Sequence, residues 1–324
     1  MKRFAKVLAI VVALLAVAFL LLRTPDTDAS EMRAKYGGEP SQFMTLANGQ
    51  EVHLRDEGPR DAPAIILLHG SNADLHTWQP WVETLRENYR VIRFDQIGHG
   101  LTGAAIDEDY AQERYIEAID LVADRLEVER FVLAGNSMGG SIAMGYALEK
   151  SDRLVGLVLI DAGGADIPRE GSGNLAFKIA RLPGVGAAMS QLLPRSLVER
   201  SLSQSVTNRD IVTDAAVDRY WEMARYPGNR TATRARFSKS YKPFVAARIA
   251  LVDVPVLVMW GEKDALIPFA AAGWYMDNLP NAELVSYPDI GHLPMEEAPG
   301  QSVRDLQNWL VKILPDPAGD TSTG

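Results

Sequence analysis

Apolar positions along this chain follow three rhythms. Residues 7–22 are apolar and uncharged without interruption. From residue 43 onward, short apolar runs alternate with longer stretches of helical spacing, and between 163 and 250 only the helical spacing persists. Residues 43–46 and 51–56 flank Asn48-Gly49, a pair that tolerates the positive φ a two-residue hairpin turn needs. Residues 64–68 and 89–95 read as buried strands, and Trp78, Trp81, Val82 and Leu85 lie at helical spacing in the stretch 76–88 between them. A helix over 110–126 carries Ile116, Ile119, Val122 and Ala123 on one face. It is followed by a strand over 131–135, a helix from Ser137 and a strand over 154–161. After the helical interval come a strand at 256–261, a helix at 268–278, a strand at 282–287 and a last helix near 296–313.

Strands alternating with helices imply right-handed crossovers and a parallel sheet covered on both faces. The predicted fold class is therefore α/β: a mostly parallel eight-stranded sheet with helices on both faces and an inserted helical cap. The predicted organisation is an anchor segment at 1–23, a polar linker at 24–40, a core formed by 41–162 and 251–314, a cap at 163–250 and a flexible tail at 315–324.

The N-terminal run changes the cellular picture. As a helix, residues 7–22 span about 24 Å at about 1.5 Å per residue. With residues 4–6 added and Lys6 reaching toward the headgroups, the segment approaches the roughly 30 Å of a bilayer core. Lys2, Arg3 and Lys6 precede it and Arg23 follows, so the charge bias keeps the N-terminus cytoplasmic and exports the body, to the periplasm if the source is bacterial. The reading is a retained single-pass anchor. The alternative is a signal peptide cleaved near Thr27-Asp28-Ala29, although that site stands far from the apolar run.

Composition narrows the chemistry. An apolar fraction of 47% supports a large core, and a net charge of −9 disfavours nucleic acid as a partner. Cysteine is absent, which removes disulfides, thiolate metal sites and cysteine nucleophiles. The five histidines, His53, His69, His76, His99 and His292, show no zinc-protease spacing, so a metal hydrolase is not expected. Residues 195–248 hold eleven Lys or Arg against five Asp or Glu, a net of +6. Such a surface is either an ordinary solvated face or one turned toward anionic headgroups. Oligomeric state is not legible.

Gly135-Asn136-Ser137-Met138-Gly139-Gly140 is a G-x-S-x-G motif between a strand and a helix. A serine alcohol is a weak nucleophile, so it must project from a tight turn within reach of a base, and flanking glycines permit that turn. Downstream, His292 in Gly291-His292-Leu293 follows the last strand and is the candidate base. Asp264 follows the strand at 256–261 and is the candidate acid, with Glu262 and Asp161 as rivals. An oxyanion hole takes one backbone N–H from the residue after the nucleophile, Met138, and one from the loop after residue 68. In that loop Ser71 is the candidate donor and Asn72 stands close behind. Asn72, His99 and Trp221 are candidate substrate-binding residues. Met223, Tyr226 and Phe237 are further cap candidates, against the plainer reading that they form the cap's own core.

With His69-Gly70, Asp95-Gln96-Ile97-Gly98-His99-Gly100, the serine motif, Trp260-Gly261-Glu262-Lys263-Asp264 and Gly291-His292 in this order, the chain resembles the α/β-hydrolase family over residues 41–313. Haloalkane dehalogenases and epoxide hydrolases of that family place aspartate where Ser137 stands, so the resemblance points instead to its serine members. It implies a serine hydrolase cleaving small-molecule carboxylic esters through an acyl-enzyme, a reaction that needs no cofactor or metal. The alternatives are a carbon–carbon bond hydrolase of meta-cleavage-product type, whose members often carry a Gly-Asn-Ser-Met-Gly-Gly elbow, and a cofactor-free haloperoxidase or perhydrolase. Against the carbon–carbon reading, Ser71-Asn72-Ala73-Asp74 replaces the glycine- and proline-rich oxyanion loop of that group. A non-catalytic binding module on the same scaffold is the remaining class.

Overall fold

The computed structural model describes residues 2–168, 185–239 and 242–314. Its centre is an eight-stranded sheet in the order β1-β2-β4-β3-β5-β6-β7-β8. The strands are β1 (Gln42–Thr45), β2 (Glu51–Glu57), β3 (Ala64–Leu68), β4 (Arg90–Phe94), β5 (Phe131–Asn136), β6 (Leu154–Ile160), β7 (Val256–Gly261) and β8 (Ala282–Tyr287). β1, β2 and β4 pair antiparallel and every other pairing is parallel. The hairpin turns at Asn48-Gly49 as expected, with Gly49 at φ 86° and Asn48 Oδ1 accepting the Gln50 N–H.

Because successive side chains of a strand face opposite ways, the apolar runs feed two cores. Ile66, Leu68 and Leu133 face the helices Gln112–Arg125 and Met138–Lys150. Ile65, Leu67 and Val132 face Trp78, Trp81 and Trp309 on the other side. Two predicted helices are shorter than their apolar spacing implied. The stretch 76–88 opens as a 3-10 turn over Leu75–Trp78 and is α-helical only over Gln79–Leu85. The last helix divides into Pro294–Glu297 and Pro299–Ile313, because Pro299 excludes Ala298 from the α region; Ala298 sits at φ −135°, ψ 53°.

Between β6 and β7 the described residues hold the helices Val185–Ser190, Arg195–Ser205, Asp214–Ala224, Asn229–Ser238 and Ala246–Ile249 and no strand, as the helical spacing implied. Two of the basic residues here turn inward to acids outside the cap: Arg219 lies 3.5 Å from Asp74, and buried Arg230 pairs with Asp26. The net +6 is thus partly absorbed in internal pairs rather than displayed as a uniform cationic face.

Residues 24–40 differ from the linker expectation. Asp28 Oδ1 accepts the Ser30 and Glu31 N–H groups and starts a helix over Ala29–Tyr36. Met32 of that helix is buried with Leu101, Met223 and Tyr226. Asp28-x-x-Glu31 is a helix-start signature that the surrounding polar composition hides. Upstream, Lys2–Leu22 is a single helix, and residues 3–22 are long and apolar enough to cross a membrane, with none of that stretch buried against the rest of the chain. The predicted tail at 315–324 lies outside the described residues.

Candidate active site

Ser137 sits where β5 turns into the helix Met138–Lys150. Its backbone is at φ 55°, ψ −114°, a conformation that a non-glycine residue adopts only when its surroundings enforce it. The enforcement is visible. Ser137 N–H donates to Ile160 O at 3.0 Å, and Ser137 O accepts from Ser141 and Gly163 N–H at 3.1 and 2.9 Å. A Cβ on Gly135 would lie 2.3 Å from the Gly139 carbonyl, and one on Gly139 would lie 2.2 Å from Leu68 O. The motif glycines therefore allow strand and helix to close on each other and hold the serine out.

His292 and Asp264 come from the turns after β8 and β7. The imidazole Nδ1–H donates to Asp264 Oδ2 at 2.7 Å, while Asp264 Oδ1 accepts the Leu266 and Ile267 N–H groups at 2.7 and 3.1 Å. Both residues are nearly buried. Gly261 lets the two turns approach: a Cβ there would meet Gly291 O at 1.9 Å. Of the rival acids, Glu262 is exposed and accepts from Ser286 instead. Asp161, fully buried at the end of β6, accepts the Gly261 N–H at 3.0 Å. Burial, and then the neighbouring Asp264 charge, push its carboxyl well above the usual range. Among the described residues Asp161, Asp264 and His292 are also the one acid–histidine cluster tight enough to hold an ion, with donor atoms within 4.8 Å of one another. The His292–Asp264 hydrogen bond accounts for the closeness of two of the three.

Two residues that the sequence reading did not single out hold this arrangement. Asn136 Nδ2 donates to His292 O and Ile160 O at 3.1 and 3.2 Å, fastening the serine turn to the histidine turn. Buried Glu297 accepts the Gly291 N–H through Oε1 and the Thr207 and Asn208 N–H groups through Oε2, so the histidine turn is also tied to the cap. Asn136 lies inside the motif and was open to notice. Glu297 reads as one more helix-terminal acid until the fold brings 207 and 291 together.

Ser137, His292, Ser71, Asn72 and Asn136 border one cavity of about 560 Å³. On the cap side its wall includes Leu193, Leu197, Val198, Leu202 and Phe237. Met138 presents its N–H at the first turn of its helix, and Asn72 takes φ 60° in the facing loop. Two of the three expected substrate-binding residues do not border the cavity. Trp221 donates from Nε1 to Leu193 O at 2.7 Å and stacks under Arg225, behind the wall. His99 is buried edge-on against His69, and its Nδ1 faces Ile97 O. Burial and the Arg236 charge hold it well below the usual histidine range and therefore neutral. Met223 and Tyr226 belong to the buried cluster around Met32, whereas Tyr220 borders the cavity unforeseen.

Comparison with known proteins converges on the same region. The family profile described as alpha/beta hydrolase fold matches residues 63–299. The chain is 26% identical over 267 residues to the 2-hydroxy-6-oxononadienedioate/2-hydroxy-6-oxononatrienedioate hydrolase of Comamonas testosteroni, covering 78% of this chain and 90% of that protein. It is 27% identical over 256 residues to the pimeloyl-(acyl-carrier protein) methyl ester esterase of Nitrosomonas europaea, covering 78% and 96% respectively. In three dimensions it is similar to a membrane phospholipase A described as a bacterial virulence factor. That match has a TM-score of 0.72 at 23% identity and covers 97% of this chain and 99% of the other. The profile spans most of the chain, from β3 through the histidine turn and the cap between them: the protein belongs to the α/β-hydrolase family and is a hydrolase.

Proposed function

We propose that the protein is a membrane-tethered serine hydrolase that cleaves carboxylic esters bearing an apolar acyl chain. The observation that carries this reading is a strained serine and an aspartate-held histidine on the border of one cavity with an apolar cap wall. Ser137 Oγ attacks the ester carbonyl as His292 Nε2 takes its proton. The Met138 and Ser71 N–H groups receive the oxyanion, and His292 returns the proton to the leaving alcohol. Water then releases the acyl group by the reverse route. The Ser137–His292 hydrogen bond is open in this structure, and the mechanism requires it to close on substrate binding. Asp264 keeps the histidine in the tautomer with its proton on Nδ1.

The tether fits such substrates. Thr24, just past the membrane-length helix, exchanges hydrogen bonds with Gln191 and Leu193, and Leu193 borders the cavity. The positive charge ahead of the helix supports a catalytic body outside the cytoplasm. A second reading, hydrolysis of a carbon–carbon bond, draws on the named activity of the Comamonas relative. A series of acyl esters of graded length, run beside a vinylogous 1,5-diketone, decides between them. Turnover that rises with acyl length supports the ester reading, and turnover of the diketone alone overturns it.

A further inference from the structure

The cap contributes a half-buried guanidinium that donates to the side chains of both residues assigned to the oxyanion hole. Arg236, on the helix Asn229–Ser238, donates through Nη1 to Ser71 Oγ at 3.0 Å and to Met138 Sδ at 3.0 Å. Its Nη2 donates to Thr233 Oγ1 at 3.2 Å, and Thr233 Oγ1 reaches Asn72 Oδ1 at 3.4 Å. One helical turn of the cap thus grips both sides of the gap between the oxyanion loop and the serine turn.

Arg236 has no carboxylate partner, a lack it shares among the cap arginines that are not exposed with Arg225, which lies instead over the Trp221 ring at 3.7 Å and donates to Pro25 O, away from the serine turn. Arg219 has Asp74 and Glu296, and Arg230 has Asp26. Among the described residues no Asp or Glu oxygen lies within 4.0 Å of Arg236, and its Nε is buried without a hydrogen-bond partner. The groups around it are neutral: Tyr110, Tyr115, His69 and His99. A half-buried cation without a counter-charge is costly, and that cost is recovered where negative charge develops nearby. Arg236 does not border the cavity, although Ser71 does, so substrate does not meet the guanidinium directly.

We propose that Arg236 is a positioning residue of the oxyanion hole, one that sets the Ser71 and Met138 N–H groups on a common point and places an uncompensated positive charge behind it. The proposal rests on the serine-hydrolase reading above. It makes the cap part of the catalytic machinery as well as a substrate pocket: when the helix Asn229–Ser238 lifts, the grip on both donors is lost together.

The test uses the full-length protein in detergent, a p-nitrophenyl ester as substrate and phenylboronic acid, whose adduct on a serine is tetrahedral and anionic. Arg236→Gln is expected to lower kcat about 10²-fold, the size of losing one oxyanion donor. KM should stay within about 3-fold, and the boronate should weaken by the same factor as kcat/KM. Arg236→Lys, which keeps the charge and most of the volume, should recover at least about tenfold of kcat. If Arg236→Gln fails to fold, Arg236→Lys carries the test by a smaller, parallel loss in kcat and boronate affinity. Unchanged kcat overturns the proposal, and so does a loss confined to KM with boronate affinity intact. Ser137→Ala in the same assay separates the two levels. Activity that persists there overturns the serine reading itself, whereas its loss beside an indifferent Arg236 overturns only the positioning role.

Discussion

Among the described residues two Ser–His–Asp sets stand out, and by contacts alone the one outside the candidate active site is better formed. His53 Nδ1 lies 2.7 Å from Asp95 Oδ2, and its Nε2 lies 2.8 Å from Ser41 Oγ. The pair His292–Asp264 shows the same 2.7 Å contact, yet Ser137 has not closed on it. The difference lies in everything around the trio. Ser137 is forced to φ 55° at the start of a helix and borders the cavity of about 560 Å³, whereas Ser41 has no positive φ and does not line that cavity. Ser41 Oγ also accepts from Arg55 Nε at 2.9 Å, and His53 is fully buried within β2. Asp95 spends its remaining capacity on the Leu75 and Leu101 N–H groups, each at 2.7 Å. That set is a brace joining the segment before β1 to the loops beneath the sheet's edge. A triad is recognised by the roles its surroundings permit, not by the identity of three side chains.

Removing each serine is the most direct way to break this comparison. Ser137→Ala should lower esterase turnover by several orders of magnitude with the fold intact, while Ser41→Ala should leave turnover unchanged. A fluorophosphonate probe should label the wild type and Ser41→Ala but not Ser137→Ala. Labelling of Ser41 in the Ser137→Ala protein would reverse the assignment of the two constellations.

The acids should part in the same way. Asp264→Asn is expected to cut kcat about 10⁴-fold, because the histidine tautomer is no longer fixed. Asp95→Asn should instead cost about 1–3 kcal/mol of stability, the usual loss when a buried hydrogen-bonding set is broken, with kcat of the folded protein within tenfold. Urea titration beside initial-rate assays checks both. A loss of turnover in Asp95→Asn without loss of stability would give the brace a catalytic part.

The strand positions and the serine turn were legible because their signals are local. Apolar runs such as 64–68 and 256–261 coincide with β3 and β7, and the glycines of the Ser137 motif announce the only turn that fits them. Asp264 and His292 were legible as well, since chain order and strand ends locate them. The cap's share was not. Trp221 and Phe237 are both aromatic residues in a helical stretch, and only packing sends Phe237 to the cavity and Trp221 behind Leu193. Arg236 and Glu297 act across 165 and 90 residues of sequence, so their partners Ser71 and Thr207 cannot be inferred from spacing. The segment 24–40 was misread for another reason: its polar composition is that of a linker, and its single buried anchor, Met32, is too little apolar signal to stand out.

That segment sharpens the comparison between brace and active site through truncation. Deleting residues 1–23 leaves Thr24 and Asp26 on the cap and should give a soluble enzyme with wild-type turnover. Deleting 1–36 removes Asp26 from Arg230, which borders the cavity, and Met32 from its cluster. The longer deletion should lower the melting temperature and reduce kcat/KM several-fold. Asp26 is half exposed, so the ion pair itself contributes modestly and the lost packing adds to it. Equal melting temperatures for the two truncations would return residues 24–36 to the status of a passive linker.

The smallest effect belongs to Asp161, the second carboxyl at the candidate active site. Its proton is held in the folded protein by burial and by the Asp264 charge, so its folded pKa lies above its unfolded value of about 3.9. With the folded state binding the extra proton, this contribution to stability is fully present below about pH 3.9 and is lost as pH rises toward the folded value. Asp161→Asn replaces the titrating carboxyl with an amide of nearly the same shape that does not titrate. The mutant should therefore lose that downward slope of stability above pH 4, while kcat stays within about tenfold. Equilibrium unfolding across pH 4–8, wild type against Asp161→Asn, measures the slope. A mutant whose kcat collapses like that of Asp264→Asn, with the slope unchanged, would make Asp161 the acid that serves His292.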